Sequence, residues 1–151
     1  MNLTQKETTL LKDLKSQEEV CMKKYGLYAQ DASDPCLKQL FSSIRDTEEG
    51  HMNTVSRILS GEEVQMPPAK SASEEVFSCP LSGCSPEDKE KDAYLCADAL
   101  AMEKHASALY DTCIFEFSSP VLRDTLNAIQ KTEQNHGQKI YEYMSQNGMY
   151  S

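Results

Sequence analysis

Glu48 and His51, and again Glu133 and His136, pair a carboxylate with an imidazole three residues later. On a helix, positions i and i+3 share one face about one turn apart, so the two side chains can reach a common point. That is the geometry of two ligands on one metal ion. A shift of 85 residues carries Glu48 onto Glu133 and His51 onto His136, and the same shift carries Glu18 onto Glu103 and Tyr25 onto Tyr110. The candidate ligand set is therefore Glu18, Glu48, His51, Glu103, Glu133 and His136. One Glu from each of two helices and a Glu-x-x-His from each of two others is the donor pattern of dinuclear carboxylate centres built inside helix bundles. Four carboxylates balance two divalent ions, and the two imidazoles favour iron or manganese over calcium. The expected occupants are two iron ions about 3.5 to 4 Å apart, with manganese as the alternative. Four carboxylates facing a core without metal would cost too much to bury unpaired, so a set without ions would have to point outward.

Neighbouring residues are weaker candidates. Tyr25 and Tyr110 follow Glu18 and Glu103 by seven residues on nearly the same helical face. A phenol there can hydrogen-bond a ligand carboxylate or supply an electron, the alternative being a plain core aromatic. Glu19 and Glu49 adjoin the set but are rotated roughly 100° away, which points them to solvent. His105 matches Val20 in the repeat and reads as a surface or half-buried residue.

Four helices are needed to position this set, and the local signals for them are clear. Thr4 with Glu7 forms a capping box ahead of Leu10, Leu11, Leu14, Cys21, Met22 and Tyr25, predicting a first helix over 5–31. Asp34-Pro35 opens a second, which runs to a glycine stop at Ser60-Gly61. Over 62–85 the helical period gives way to turn formers, among them Pro67-Pro68, Ser71, Ser73, Pro80 and Ser82-Gly83. Ser85-Pro86 restarts a third helix that ends near Phe117, and Ser119-Pro120 opens a fourth that stops at Asn147-Gly148. The 85-residue shift also superposes Ser33 on Ser118, Pro35 on Pro120, Leu37 on Leu122 and Ile44 on Ile129. The sequence thus predicts a single all-α domain over 1–151, an antiparallel four-helix bundle of two repeated hairpins, 4–61 and 86–148, joined by a long crossover at 62–85. The length of that crossover would let it cover one end of the bundle and gate access.

Composition narrows the function classes. A chain of 151 residues supports one sizeable core. Its net charge of −9 argues against nucleic acid and anionic membranes as partners. No signal peptide and no spanning segment is visible, which predicts a bacterial-cytoplasm type of chain once its resemblance below is considered. Cys21, Cys36, Cys96 and Cys113 lie within helical patterns and read as reduced, apolar core residues of a reducing interior. Cys79 and Cys84 lack a second pair for a tetrahedral metal site and read as free loop thiols, with a mutual disulfide or cross-linking between chains as alternatives.

Taken as text, the order Glu, Glu-x-x-His, Glu, Glu-x-x-His resembles the ferritin-like superfamily, in particular rubrerythrin-type di-iron peroxidases and bacterioferritins. Three further stretches resemble the spore coat F-type family of endospore-forming bacteria: Leu3-Thr4-Gln5-Lys6-Glu7, Ala32-Ser33-Asp34-Pro35-Cys36-Leu37 and Met144-Ser145-Gln146-Asn147-Gly148-Met149-Tyr150. This resemblance implies a ferritin-like bundle in or near the spore coat, with other coat proteins as partners, while two ferrous ions on the six candidate ligands would leave positions open for O₂ or peroxide as a small-molecule substrate. A homodimer is compatible with such a bundle. Rubredoxin-like cysteine pairs are lacking, and Leu100 stands where rubrerythrins carry an extra glutamate one turn before Glu103. Three functions stay open at this point: a di-iron oxidase, ferroxidase or peroxidase, a structural coat protein with a redox-inert site, and a di-manganese catalase-like protein.

Overall fold

A computed structural model describes residues 1–70, 76–80 and 84–150. The expected turn formers Ser71, Ser73 and Ser82-Gly83 lie outside the described residues. Four helices account for most of the rest: α1 (Gln5–Asp31), α2 (Pro35–Leu59), α3 (Pro86–Glu116) and α4 (Pro120–Gln146). Among the described residues there is no strand.

Each helix begins where its local chemistry says it should. The Thr4 hydroxyl accepts from the Glu7 amide while the Glu7 carboxylate accepts from the Thr4 amide, so two of the orphan N–H groups at the start of α1 are satisfied reciprocally. Asp34, Ser85 and Ser119 cap the other three helices, each followed by a proline at the first helical position. Gly61 and Gly148 take the left-handed conformation just beyond α2 and α4, with φ of 96° and 66°. Their neighbours close the helix ends through Glu62 N–H to Arg57 C=O and Met149 N–H to Met144 C=O.

Glu7 at the start of α1 accepts hydrogen bonds from Ser118, just past the end of α3. Asp92 near the start of α3 accepts from Ser33 and Asp34, just past the end of α1. Helices α1 and α3 therefore run antiparallel, and the two hairpins interlock through equivalent contacts. The 85-residue shift relates Glu7 to Asp92 and Ser33 to Ser118, so the repeat in sequence is a pseudo-two-fold in space.

This arrangement explains why the crossover is long. The α2 C-terminus and the α3 N-terminus lie at opposite ends of the bundle, and α2 alone, with 25 residues, measures roughly 38 Å. The described part of the crossover runs alongside α4: Thr125 bonds Val64 and Met66, Asn135 bonds Lys70, Glu142 bonds Phe77, and Gln146 and Asn147 bond Cys79. The expected cover over one end of the bundle is thus replaced by a strap along one helix. Cys79 in that strap is joined to Cys36 on α2, with Cα atoms 6.2 Å apart. Two sequence expectations are overturned here, a reduced helical Cys36 and a free Cys79. Periodicity places Cys36 on a helix but says nothing of a strap that passes beside it. Cys21, Cys84, Cys96 and Cys113 are free.

The core falls into two apolar clusters. One gathers Tyr25, Phe41, Ile44, Cys96, Ile140 and Tyr143, the other Leu11, Leu14, Ile58, Leu122, Leu126 and Ile129. Between them lies a layer of charged side chains. No described helix is long and apolar enough to cross a membrane.

Candidate metal centre

All six residues singled out by the repeat meet in that layer. Glu18 on α1, Glu48 and His51 on α2, Glu103 on α3, and Glu133 and His136 on α4 are all buried. They fall into two overlapping groups whose donor atoms lie within 4.8 Å of one another and could each hold a metal ion. One group is Glu18, Glu48, His51 and Glu133, the other Glu48, Glu103, Glu133 and His136. Glu48 and Glu133 belong to both, which is the placement of bridging carboxylates. Glu18 and Glu103 each belong to one, as terminal carboxylates would.

Contacts across the centre are reciprocal. His51 Nδ1 lies 3.0 Å from Glu133 Oε1, and His136 Nδ1 lies 3.1 Å from Glu48 Oε1. Tyr25 donates its hydroxyl to Glu103 Oε1 and Tyr110 donates to Glu18 Oε1, each at 2.5 Å. Both tyrosines therefore touch the carboxylate of the other hairpin, not the glutamate seven residues earlier on their own helix. Glu19 and His105 are exposed and Glu49 is half-buried, and none of the three belongs to either group.

Electrostatics show what burial does to such a cluster. Desolvation, reinforced by Glu48, holds the Glu18 carboxyl well above the usual carboxylate range. Desolvation and Glu103 do the same to Glu133. Burial also works to raise Glu48, but hydrogen bonds from Glu18, His136 and His51 outweigh it and hold that carboxyl low. For His136, burial opposes the charge, while Glu103 and Glu48 push its value up to about 9. Tyr25 and Tyr110 are raised well above an ordinary phenol, by desolvation first and then by Glu103 and Glu18. Without cations, such a cluster shares protons so that like charges do not face each other bare.

The donor set fits divalent ions on one further observation. Oε2 of Glu18, Glu48, Glu103 and Glu133 is buried without any hydrogen-bond partner. Buried carboxylate oxygens are seldom left unsatisfied, because each costs about 1 to 3 kcal/mol or more. Here four of them are orphaned in the one place where ions would need ligands.

Residues 91–151 match the Coat F domain. The match covers most of α3, all of α4 and two candidate ligand-bearing segments, Glu103 and Glu133-x-x-His136. It supports the spore coat F-type resemblance and suggests association with the spore coat. No curated protein and no solved structure matches the chain.

Two structural roles escaped the sequence reading. Glu7 appears there only as a helix cap, and Asp92 not at all, yet each is buried and ties its hairpin to the linker of the other. The signal was present, since the 85-residue shift places Glu7 on Asp92.

Proposed function

We propose that the protein binds two transition-metal ions, iron in the first place and manganese as the alternative, within a ferritin-like bundle, and that it reacts with O₂ or peroxide in association with the bacterial spore coat. The observation that carries this reading is the convergence of four orphaned carboxylate oxygens and two imidazoles in one buried layer. Glu48 and Glu133 would bridge the ions. Glu18 with His51 and Glu103 with His136 would complete one ion each. When bound, a ferrous pair supplies two electrons to an oxygen–oxygen bond. The chain itself fixes the terminal carboxylates through Tyr25 and Tyr110 and holds water off with an apolar cluster on either side of the layer.

A second reading draws on the Coat F match: a structural coat protein whose ions knit the bundle and do no chemistry. One experiment separates the two. Iron-loaded protein should contain two ions per chain, Glu48→Ala should lose both because that carboxylate belongs to both groups, and the loaded protein should consume peroxide or O₂. Two ions without consumption favour the structural reading. Fewer than one ion per chain after iron loading, unchanged by Glu48→Ala, would falsify both.

A further inference from the structure

One place where the two halves differ is the outer face between α3 and α4. A groove of about 720 Å³ opens there, with Leu100, Ala108, Gly137 and Tyr141 along it and Glu103 and Glu133 in its wall. In the first half, the positions equivalent to Ser107 and Gly137 are Met22 and Met52, both half-buried. The cavity on that side, lined by Gly26, Lys38 and Arg45 among others, reaches none of the six candidate ligands. Exposure is one-sided in the same sense. Glu18 and Glu48 are 0% exposed, whereas Glu103 and His136 retain 5% and 6%. The strap over α4 bonds to Thr125, Asn135, Glu142 and Gln146, roughly the opposite side of that helix, and so leaves the groove open.

Small residues make the opening, and its size says what it suits. A Cβ at Gly137 would sit 3.9 Å from Leu100 Cδ2, an ordinary contact, so only a longer side chain would fill the groove. O₂ and hydrogen peroxide need little more than the ~30 Å³ share of a water molecule. A volume of this order belongs with sites for organic ligands, about 300 to 1,000 Å³. Half-exposed Tyr141 and Tyr150, their rings edge to face at 5.0 Å, form an apolar rim.

We propose that this groove binds an organic hydroperoxide, its hydrocarbon part against Leu100, Ala108, Gly137 and the Tyr141 ring, its O–O end toward Glu103 and Glu133. The proposal deepens the functional reading above and rests on it. In the reaction the O–O bond breaks, two ferrous ions give one electron each and become ferric, two protons come from solvent, and the products are the alcohol and water.

The probe is 2-phenyl-2-propanol, the unreactive alcohol product of cumene hydroperoxide, titrated into the full-length protein with and without iron and followed by ligand-detected NMR. Saturable binding is expected in both forms, weakened at least tenfold by Gly137→Leu, and the variant should still take up two ions. Ala108→Leu, at an exposed helical position, provides the same test if the first variant folds poorly. Cumene hydroperoxide should also be consumed at least tenfold more slowly by either variant. A chain that takes up two ions but shows no saturable alcohol binding, or binding untouched by both variants, overturns the proposal and leaves the metal reading standing. A chain that takes up no ions overturns that reading and the hydroperoxide chemistry with it, whatever the alcohol does.

Discussion

Tyr25 and Tyr110 are the side chains whose removal gives the most selective readout. Each donates to a candidate ligand carboxylate of the opposite hairpin, Tyr25 to Glu103 and Tyr110 to Glu18. Tyr25→Phe should therefore weaken only the ion held with His136, and Tyr110→Phe only the ion held with His51, by about 10- to 100-fold for loss of a bond that orients a ligand. Competition against a ferrous chelator, resolved into two binding steps, would show it; equal weakening of both steps by either variant refutes this assignment. The sequence made the tyrosines legible as members of the site face, because seven residues is two helical turns. It could not show which glutamate each one meets, since helical phase names a face and not a neighbour. Glu7 illustrates the same limit and supports a second prediction. The Thr4 amide, against the opposing effect of burial and with help from Ser118, holds the Glu7 carboxyl below its ordinary range. A carboxylate lowered by folding contributes stability that is fully present above its unfolded value near 4.5 and is lost as pH falls through the folded value. Glu7→Gln should therefore lower the unfolding temperature at pH 7 and flatten its fall on acidification below about pH 4.5. An acid limb identical to that of the parent protein would show that Glu7 titrates alike in both states.

Among the elements, the helices were the most legible and the connection between hairpins the least. Caps and glycine stops are local devices, so Thr4, Asp34, Ser85 and Ser119 mark helix starts in the sequence and in the structure alike. The path of the strap depends on side chains of α4 far away in the chain, and no period records it. The same holds for the Cys36–Cys79 link, which joins residues 43 apart. That link fastens the strap to the start of α2, and closing a loop of this length restricts the unfolded chain. Cys79→Ser should cost about 2 to 4 kcal/mol, read as a lower denaturant midpoint. A non-reducing digest of protein purified without reductant should yield the peptide pair carrying Cys36 and Cys79. Recovery of both cysteines only as free thiols would show that the strap is held without the disulfide, by contacts such as its hydrogen bonds to Thr125, Asn135, Glu142 and Gln146.

For the whole molecule, the decisive point is that neither half of the chain supplies a complete candidate ligand group by itself. Glu18, Glu48 and His51 come from the first hairpin, but their group is completed by Glu133 from the second, and the other group is completed in the opposite sense by Glu48. Bound ions would therefore staple the two hairpins together across the layer that separates the two apolar clusters. That layer carries a desolvation cost in the metal-free core, because its four buried Oε2 atoms have no hydrogen-bond partner. An ion that binds the folded state alone adds about 2.7 kcal/mol at a free concentration 100 times its dissociation constant. For a domain of this size that corresponds to a rise of roughly 5 to 10 °C in unfolding temperature for each ion. Thermal unfolding of iron- or manganese-loaded protein, before and after a chelator, should show this rise and its reversal. Glu133→Ala should abolish it, because both groups lose a ligand, whereas Glu18→Ala should remove only about half. Loaded and chelated protein that melt at the same temperature would mean that the ions, wherever they bind, do not join the halves. Equal loss in both variants would mean instead that the two ions are held only as a pair.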